Sequence, residues 1–254
     1  MAWQDKLCAY KTDLFERFIT NGFVLIPKAI SSKLLSRISG VIDDVLEQHP
    51  PALGTVGHYF PPITKPESLM PLLLRSSVFK LAESFVGKGK LLVPEQVQIS
   101  LNIPYFPHRP SRHHLDGVSA PEADGRPGTF TLLAGILMTD QPRQDMGNLW
   151  VWPGTHIIHA NYFKSEGVES LVSSNGSPDI CLPEPMQVVG QAGDLLMAHY
   201  LLAHNIGGNR SDKIRRAVYF RLQRNGHRDH WQKSLQHPWH DYDGIRDHLK
   251  NNEK

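Results

Sequence analysis

The amino-acid sequence predicts a mainly β domain, a sandwich or barrel, fronted by a layer of N-terminal helices. Two observations carry this. Apolar residues recur at helical spacing through roughly residues 1–90 and change to two-residue alternation from about Leu91. The 20 glycines and 19 prolines separate short segments, which is the punctuation of many turns rather than of a helical bundle. A length of 254 residues, 40% apolar and 20% charged, suits a single folded unit, because β barrels commonly use this much chain as one domain.

Leu14, Phe15, Phe18 and Ile19 mark a first helix, and Gly22 supplies its stop. Phe23–Ile26 reads as a short buried strand closed by Pro27. Ser31 or Ser32 can cap a second helix, whose apolar face is Leu34, Leu35, Ile38, Val41, Ile42, Val45 and Leu46, and Pro50-Pro51 ends it. A third helix is predicted from Ser77 to Phe85, with Gly87 beyond its end. In the first long strand, Val97, Ile99, Leu101 and Ile103 alternate with Gln96, Gln98, Ser100 and Asn102. Further strands are predicted at Thr129–Met138, Leu149–Trp152, Met186–Val189, Leu195–His199 and Ile214–Gln223. The expected organisation is one domain over 1–254: a helical layer at 1–90, a β core at 91–224 and a polar tail at 225–254. The tail histidines His227, His230, His237, His240 and His248 are expected at the surface, since their spacing builds no four-ligand zinc pattern.

Lysines and arginines number 27 against 25 acidic residues, and the basic ones are scattered, unlike the concentrated surplus of a nucleic-acid binder. No apolar run has signal-peptide or membrane-spanning length. Cys8 and Cys181 are too few and too far apart for a disulfide framework. The expectation is a soluble, cytoplasmic protein acting on a small molecule, with no nucleic-acid or membrane partner; the oligomeric state is not readable.

Chemistry concentrates first in Arg112-His113-His114-Leu115-Asp116-Gly117. In an extended segment residues i and i+2 face the same way, so His114 and Asp116 can address one metal ion while His113 points elsewhere. A third ligand from a distant strand would complete a two-histidine, one-carboxylate face, the ligand set of non-haem Fe(II) oxygenases. The same ligands suit zinc, so a jelly-roll zinc hydrolase, or a non-catalytic protein that binds a metal or metabolite, remains open at this point.

Two later segments narrow the choice. Gly147-Asn148-Leu149-Trp150-Val151-Trp152-Pro153-Gly154-Thr155-His156 resembles the G-x-L-x-V-x-P-G-[S/T]-H signature of the phytanoyl-CoA dioxygenase family. Gly193-Asp194 opens a strand, and His204, Asn209, Ser211 and Arg215 resemble that family's H-x5-N-x-[S/T]-x3-R ending. The opening Phe18–Pro27 is also similar, so the resemblance covers most of residues 14–222.

The resemblance implies a double-stranded β-helix (jelly-roll) core and an Fe(II)/2-oxoglutarate-dependent dioxygenase. Such an enzyme uses O2 to hydroxylate an unactivated C–H bond while 2-oxoglutarate decarboxylates to succinate and CO2. It implies His114, Asp116 and His204 as iron ligands and Arg215 as partner of the distal carboxylate of 2-oxoglutarate, a role suited to a permanently charged, forked guanidinium. Arg216 must face the other side of the strand from Arg215. His199 stands at the wrong interval to replace His204, and His156 and His159 are read as structural. Asn102 is a further candidate to hydrogen-bond 2-oxoglutarate or substrate, with Gln98 on the same face. Trp150 and Trp152 are read as core, Gly147, Pro153 and Gly154 as turn formers, and His108, Arg109 and Arg112 as a solvated loop. Where many members of the family have a serine two residues after the distal histidine, this chain has Ile206, which removes one contact to 2-oxoglutarate. Asp116 retains the carboxylate that related halogenases replace with a small residue, and so favours oxygenation.

Overall fold

In the computed structural model, which describes residues 2–119 and 121–252 and their side chains from Lys11 onward, the helical and β regions meet across one face of a sheet. The first region comprises α1 (Ala2–Asn21), β1 (Phe23–Ile26), α2 (Ser32–Gln48), β2 (Gly57–Tyr59), α3 (Pro71–Leu74) and α4 (Val78–Val86). Ser31 caps α2 by accepting from the Leu34 amide at 3.4 Å, and α4 stops at Gly87. The core continues with β3 (Gln98–Ile103), β4 (Leu132–Leu137), β5 (Leu149–Val151), α5 (Thr155–Glu166), α6 (Ser170–Ser173), β6 (Met186–Gln187), β7 (Leu195–His199), β8 (His204–Ile206) and β9 (Arg215–Leu222). It ends in α7 (His227–Gln236) and α8 (Asp243–Asn252).

Six antiparallel strands form the larger sheet in the order β1-β7-β4-β9-β3-β2, and β6-β5-β8 form the smaller one. Isolated bridges at Phe106–Asn209, Met146–Asn209, Gln141–Gly190 and His114–His204 extend the smaller sheet. Together they make the expected jelly roll. Apart from β2–β3 and β5–β6, neighbouring strands are non-consecutive, so most of the core is held together by chain distant in sequence.

Strand β9 shows how period-two patterning divides the molecule. Val218, Phe220 and Leu222 pack with Ile99, Leu101, Phe18 and Phe85 in the core beneath the helical layer. Ala217 and Tyr219 belong instead to the core between the sheets, with Leu133, Leu149, Val151 and Leu196. Arg216 follows the first set and bonds Asp43 of α2 at 2.5 Å, whereas Arg215 follows the second. Each large side chain sealed in these cores contributes on the order of 1.5–3 kcal/mol by leaving water.

The C-terminal stretch departs from the expected polar tail. Residues 227–252 are largely helical, with Leu235, Tyr242 and Ile245 sunk into the cores. His227 is buried rather than at the surface: Nδ1 lies 2.6 Å from Asp241 Oδ2, and Nε2 lies 3.0 Å from the Thr129 hydroxyl. His230 and His237 are exposed as expected, while His240 and His248 are half-buried. A mostly polar sequence folds here because a few anchors, above all Tyr242, dock it and its buried polar atoms are paired. The Pro-Gly-Thr-His signature likewise ends in a helix, not only a turn: Thr155 and His156 begin α5.

Candidate functional site

Main-chain pairing brings the widely separated ligand residues together. The His114 amide donates to the His204 carbonyl at 3.0 Å and the His204 amide to the His114 carbonyl at 3.2 Å, a reciprocal antiparallel bridge. Leu115 N donates to Gly176 O at 2.7 Å, and the Tyr200 hydroxyl donates to the Asp116 carbonyl at 2.8 Å. Gly117 then turns the chain at φ 95°, where a Cβ would meet Gly128 O at 2.7 Å, so a side chain is excluded twice over.

One ligand atom from each of His114, Asp116 and His204 lies within 4.8 Å of the others. Asp116 Oδ1 is 3.5 Å from His114 Nε2 and 3.7 Å from His204 Nε2. His204 Nδ1 lies 3.0 Å from the Leu202 carbonyl, which fixes its proton there and turns the Nε2 lone pair to the shared point. The donor set therefore fits a divalent transition metal. Burial opposes ionisation of Asp116, but His114, His204 and Arg221 outweigh it and hold its carboxyl well below the usual range. Burial and the neighbouring His204 push His114 down. Burial would lower His204 too, yet the Asp116 carboxylate lifts it above its ordinary value.

Arg215 enters the same interior from β9 and is 3% exposed. Its Nη1 donates to Ser100 Oγ at 3.0 Å and its Nη2 to the Tyr219 hydroxyl at 2.7 Å; Nε has no partner. Among the described residues no carboxylate pairs with it, so a buried guanidinium is held by neutral groups alone. Gly147 lies against its base, where a Cβ would come 2.9 Å from the Cβ atoms of both Arg215 and Asn102. The glycine of the signature thus shapes the floor under the arginine.

Asn102, on the same interior, donates from its amide nitrogen to Gly207 O at 2.6 Å; its second amide hydrogen and its Oδ1 have no partner among the described residues. Ser100 and Tyr219 were passed over, although both share a strand face with residues singled out: Ser100 between Gln98 and Asn102, and Tyr219 four residues after Arg215. Arg221, six residues after Arg215 on that face, was missed as well; its Nε and Nη2 both lie 3.1 Å from Asp116 Oδ2.

The remaining histidines have other partners. His199 Nε2 faces the Pro238 carbonyl at 2.7 Å and its Nδ1 accepts from Leu201 N, so it is not free to bind a metal. His156 Nε2 faces Ile19 O at 3.1 Å and His159 Nδ1 faces Leu201 O at 2.9 Å. His113 turns from the ligand cluster toward Trp152 and His159. Trp150 and Trp152 are buried, and His108, Arg109 and Arg112 are exposed.

Comparison with known proteins addresses the fold and the family. A search of curated protein sequences finds no match. Among solved structures, the non-heme α-ketoglutarate-dependent epimerase SnoN from nogalamycin biosynthesis superposes with a TM-score of 0.60 at 18% identity, over 85% of this chain and 81% of that one. The carbocyclase SnoK gives 0.56 at 20% identity, over 82% and 81%. HygX from Streptomyces hygroscopicus, solved with nickel, 2-oxoglutarate and hygromycin B, gives 0.54 at 17%, over 84% and 86%. At these identities the likeness concerns the fold. The family model for phytanoyl-CoA dioxygenase matches residues 18–217. With that match spanning most of its length, the chain belongs to the phytanoyl-CoA dioxygenase (PhyH) family of Fe(II)/2-oxoglutarate-dependent enzymes.

Proposed function

We propose that this protein is an oxygenase that hydroxylates an unactivated C–H bond of a small molecule, with His114, Asp116 and His204 holding iron and Arg215 holding 2-oxoglutarate. The observation that carries the reading is the buried Arg215 guanidinium without a carboxylate partner, on the interior that the three ligand residues share. Burying a charge is costly unless it is paired, so the site as it stands suits an anion. A zinc hydrolase has no evident need for that charge. When bound, iron with 2-oxoglutarate and O2 supplies the oxidising power for C–H cleavage, as 2-oxoglutarate becomes succinate and CO2.

The chain's own contribution is placement. His204 is fixed in one tautomer by Leu202, and Asp116 is anchored at its main chain by Tyr200 and at its side chain by Arg221. Ser100 and Tyr219 aim Arg215, whose fork can take both oxygens of one carboxylate. Asn102 supports this floor through Gly207 and keeps a second amide hydrogen, besides its free oxygen, for a hydrogen bond to 2-oxoglutarate or substrate. One domain carries all of these parts in this reading.

The test is an anaerobic titration of metal-free protein with Fe(II) and then 2-oxoglutarate, following the visible charge-transfer band of the chelate. The parent should develop the band, Asp116→Ala should lose it, and Arg215→Ala should need at least tenfold more 2-oxoglutarate. No band in folded, iron-loaded parent would refute the oxygenase assignment. Once a substrate is found, incorporation of one oxygen atom from labelled O2 distinguishes hydroxylation from epimerisation or ring closure.

A further inference from the structure

Arg221 divides the Asp116 carboxylate. Its Nε and Nη2 grip Oδ2, both at 3.1 Å, which leaves Oδ1 facing His114 and His204 at 3.5 and 3.7 Å. One nitrogen of the guanidinium, Nη1, has no hydrogen-bond partner among the described residues. The side chain is 38% exposed and lines a cavity of about 320 Å³ together with Phe60, Pro61, Ile63, Gln98 and Tyr219. Through Tyr219 and Arg221 this cavity abuts both the Arg215 anchor and the Asp116 ligand. Glu95, exposed at the mouth, is the one carboxylate on its lining.

Charge makes the free edge selective. Asp116 balances Arg221 in charge. With iron(II) and doubly charged 2-oxoglutarate in place beside Arg215, these groups together with Asp116 and Arg221 would carry one net positive charge, offset only by Glu95 at the mouth. Among the described residues Arg221 is the one cationic side chain on the cavity's lining. Beside the low-dielectric protein wall such a surplus attracts an anion more strongly than in bulk water. A guanidinium can also serve two oxyanions at once, on different edges of its plane.

We propose that Arg221 sets substrate choice: Nε and Nη2 position Asp116, and Nη1 takes an oxyanion of the substrate (a carboxylate, sulfonate or phosphate) whose apolar part lies against Phe60, Pro61 and Ile63. The inference rests on the oxygenase reading above.

The test uses the full chain, loaded anaerobically with Fe(II) and saturating 2-oxoglutarate, and reads the perturbation of the charge-transfer band by 1-propanesulfonate, butyrate, propyl phosphate and the uncharged butyramide. In the parent at least one anion should act at a tenfold lower concentration than the amide, and the most effective one names the oxyanion. Arg221→Met should abolish that preference and weaken iron binding at least tenfold in a separate metal titration. Arg221→Lys, which keeps the charge without the fork, should retain part of the anion preference and still bind iron more weakly than the parent. If Arg221→Met does not fold, Arg221→Lys decides alone. Anions and amide acting equally in the parent, or an anion preference that survives Arg221→Met unchanged, would overturn the inference while the band itself leaves the oxygenase reading standing. Iron-loaded parent without any band would overturn both.

Discussion

At the scale of single residues, the interior is organised by hydroxyls and carbonyls that fix charged groups in place. Tyr219 illustrates it: its oxygen accepts from Arg215 at 2.7 Å, and its ring packs in the core between the sheets. Tyr219→Phe removes that acceptor and little volume. A hydrogen bond to a charged group is worth about 1.5–3 kcal/mol, so the dissociation constant for 2-oxoglutarate should rise roughly 10- to 100-fold by that principle, measured on the anaerobic Fe(II) protein. An unchanged constant would show that Ser100 alone orients the arginine. The i, i+2 spacing of His114 and Asp116 on an extended segment declares a shared face, but the triplet is weak by itself, and it is the order of the later motifs resembling the family that singles it out and adds His204. Strand alternation admits only one of Arg215 and Arg216 to the interior, the spacing of the family resemblance selects Arg215, and the structure gives Arg216 its own partner in Asp43. Ser100, Tyr219 and Arg221 were harder, since a serine, tyrosine or arginine on an inward face has no signature until the opposing strand is in register. The β3–β9 pairing supplies that register, with Ser100 opposite Ala217 and Asn102 opposite Arg215.

At the scale of elements, legibility follows amphipathicity. Helix α2 and strands β1 and β7 match the expected segments, because each has one clean apolar face or one short apolar run. Helix α5 escaped notice because it buries Thr155, His156, His159, Ala160 and Phe163 among several neighbours and presents no single apolar stripe. Helices α7 and α8 were hidden by polar composition, and a network replaces part of their apolar face. Asp241 is bonded by His227 at 2.6 Å and Ser234 at 2.9 Å, with Thr131 at 3.3 Å, while Arg224 forks onto Asp243 at 2.8 and 3.0 Å. Burial opposes the Asp241 charge, yet His227 and Ser234 hold its carboxyl below the ordinary range. Asp241→Ala strands these donors, and loss of one member of a buried pair costs about 3–5 kcal/mol. Chemical denaturation should show a loss of that size; a change within experimental error would mean that Tyr242 and Ile245 alone secure the C-terminal helices.

At the scale of the whole molecule, several histidines act together through their burial. Burial, with smaller contributions from neighbouring imidazoles, lowers His156 to about 3 and His159 to about 4; burial alone brings His199 to about 4. They are neutral in the fold, whereas in the unfolded chain each protonates near its ordinary 6.5. From pH 6.5 down to about 4 the unfolded state therefore binds more protons. Stability from these groups is complete above that window and falls as acid is added, by up to about 1.4 kcal/mol per pH unit for each imidazole. Urea unfolding at pH 7, 6 and 5 should show this decline, and His156→Gln should make it shallower. Equal stability at pH 7 and pH 5 would contradict neutral burial.

The His114–His204 bridge is made of main chain only. Substituting either imidazole leaves those amides and carbonyls where they are, so the latch that closes the chamber does not depend on the groups that give it chemistry. Architecture and reactivity can therefore be inherited separately. A descendant that lost a ligand would still possess a shaped hollow floored by Arg215, and would begin its new history as a receptor for small anions.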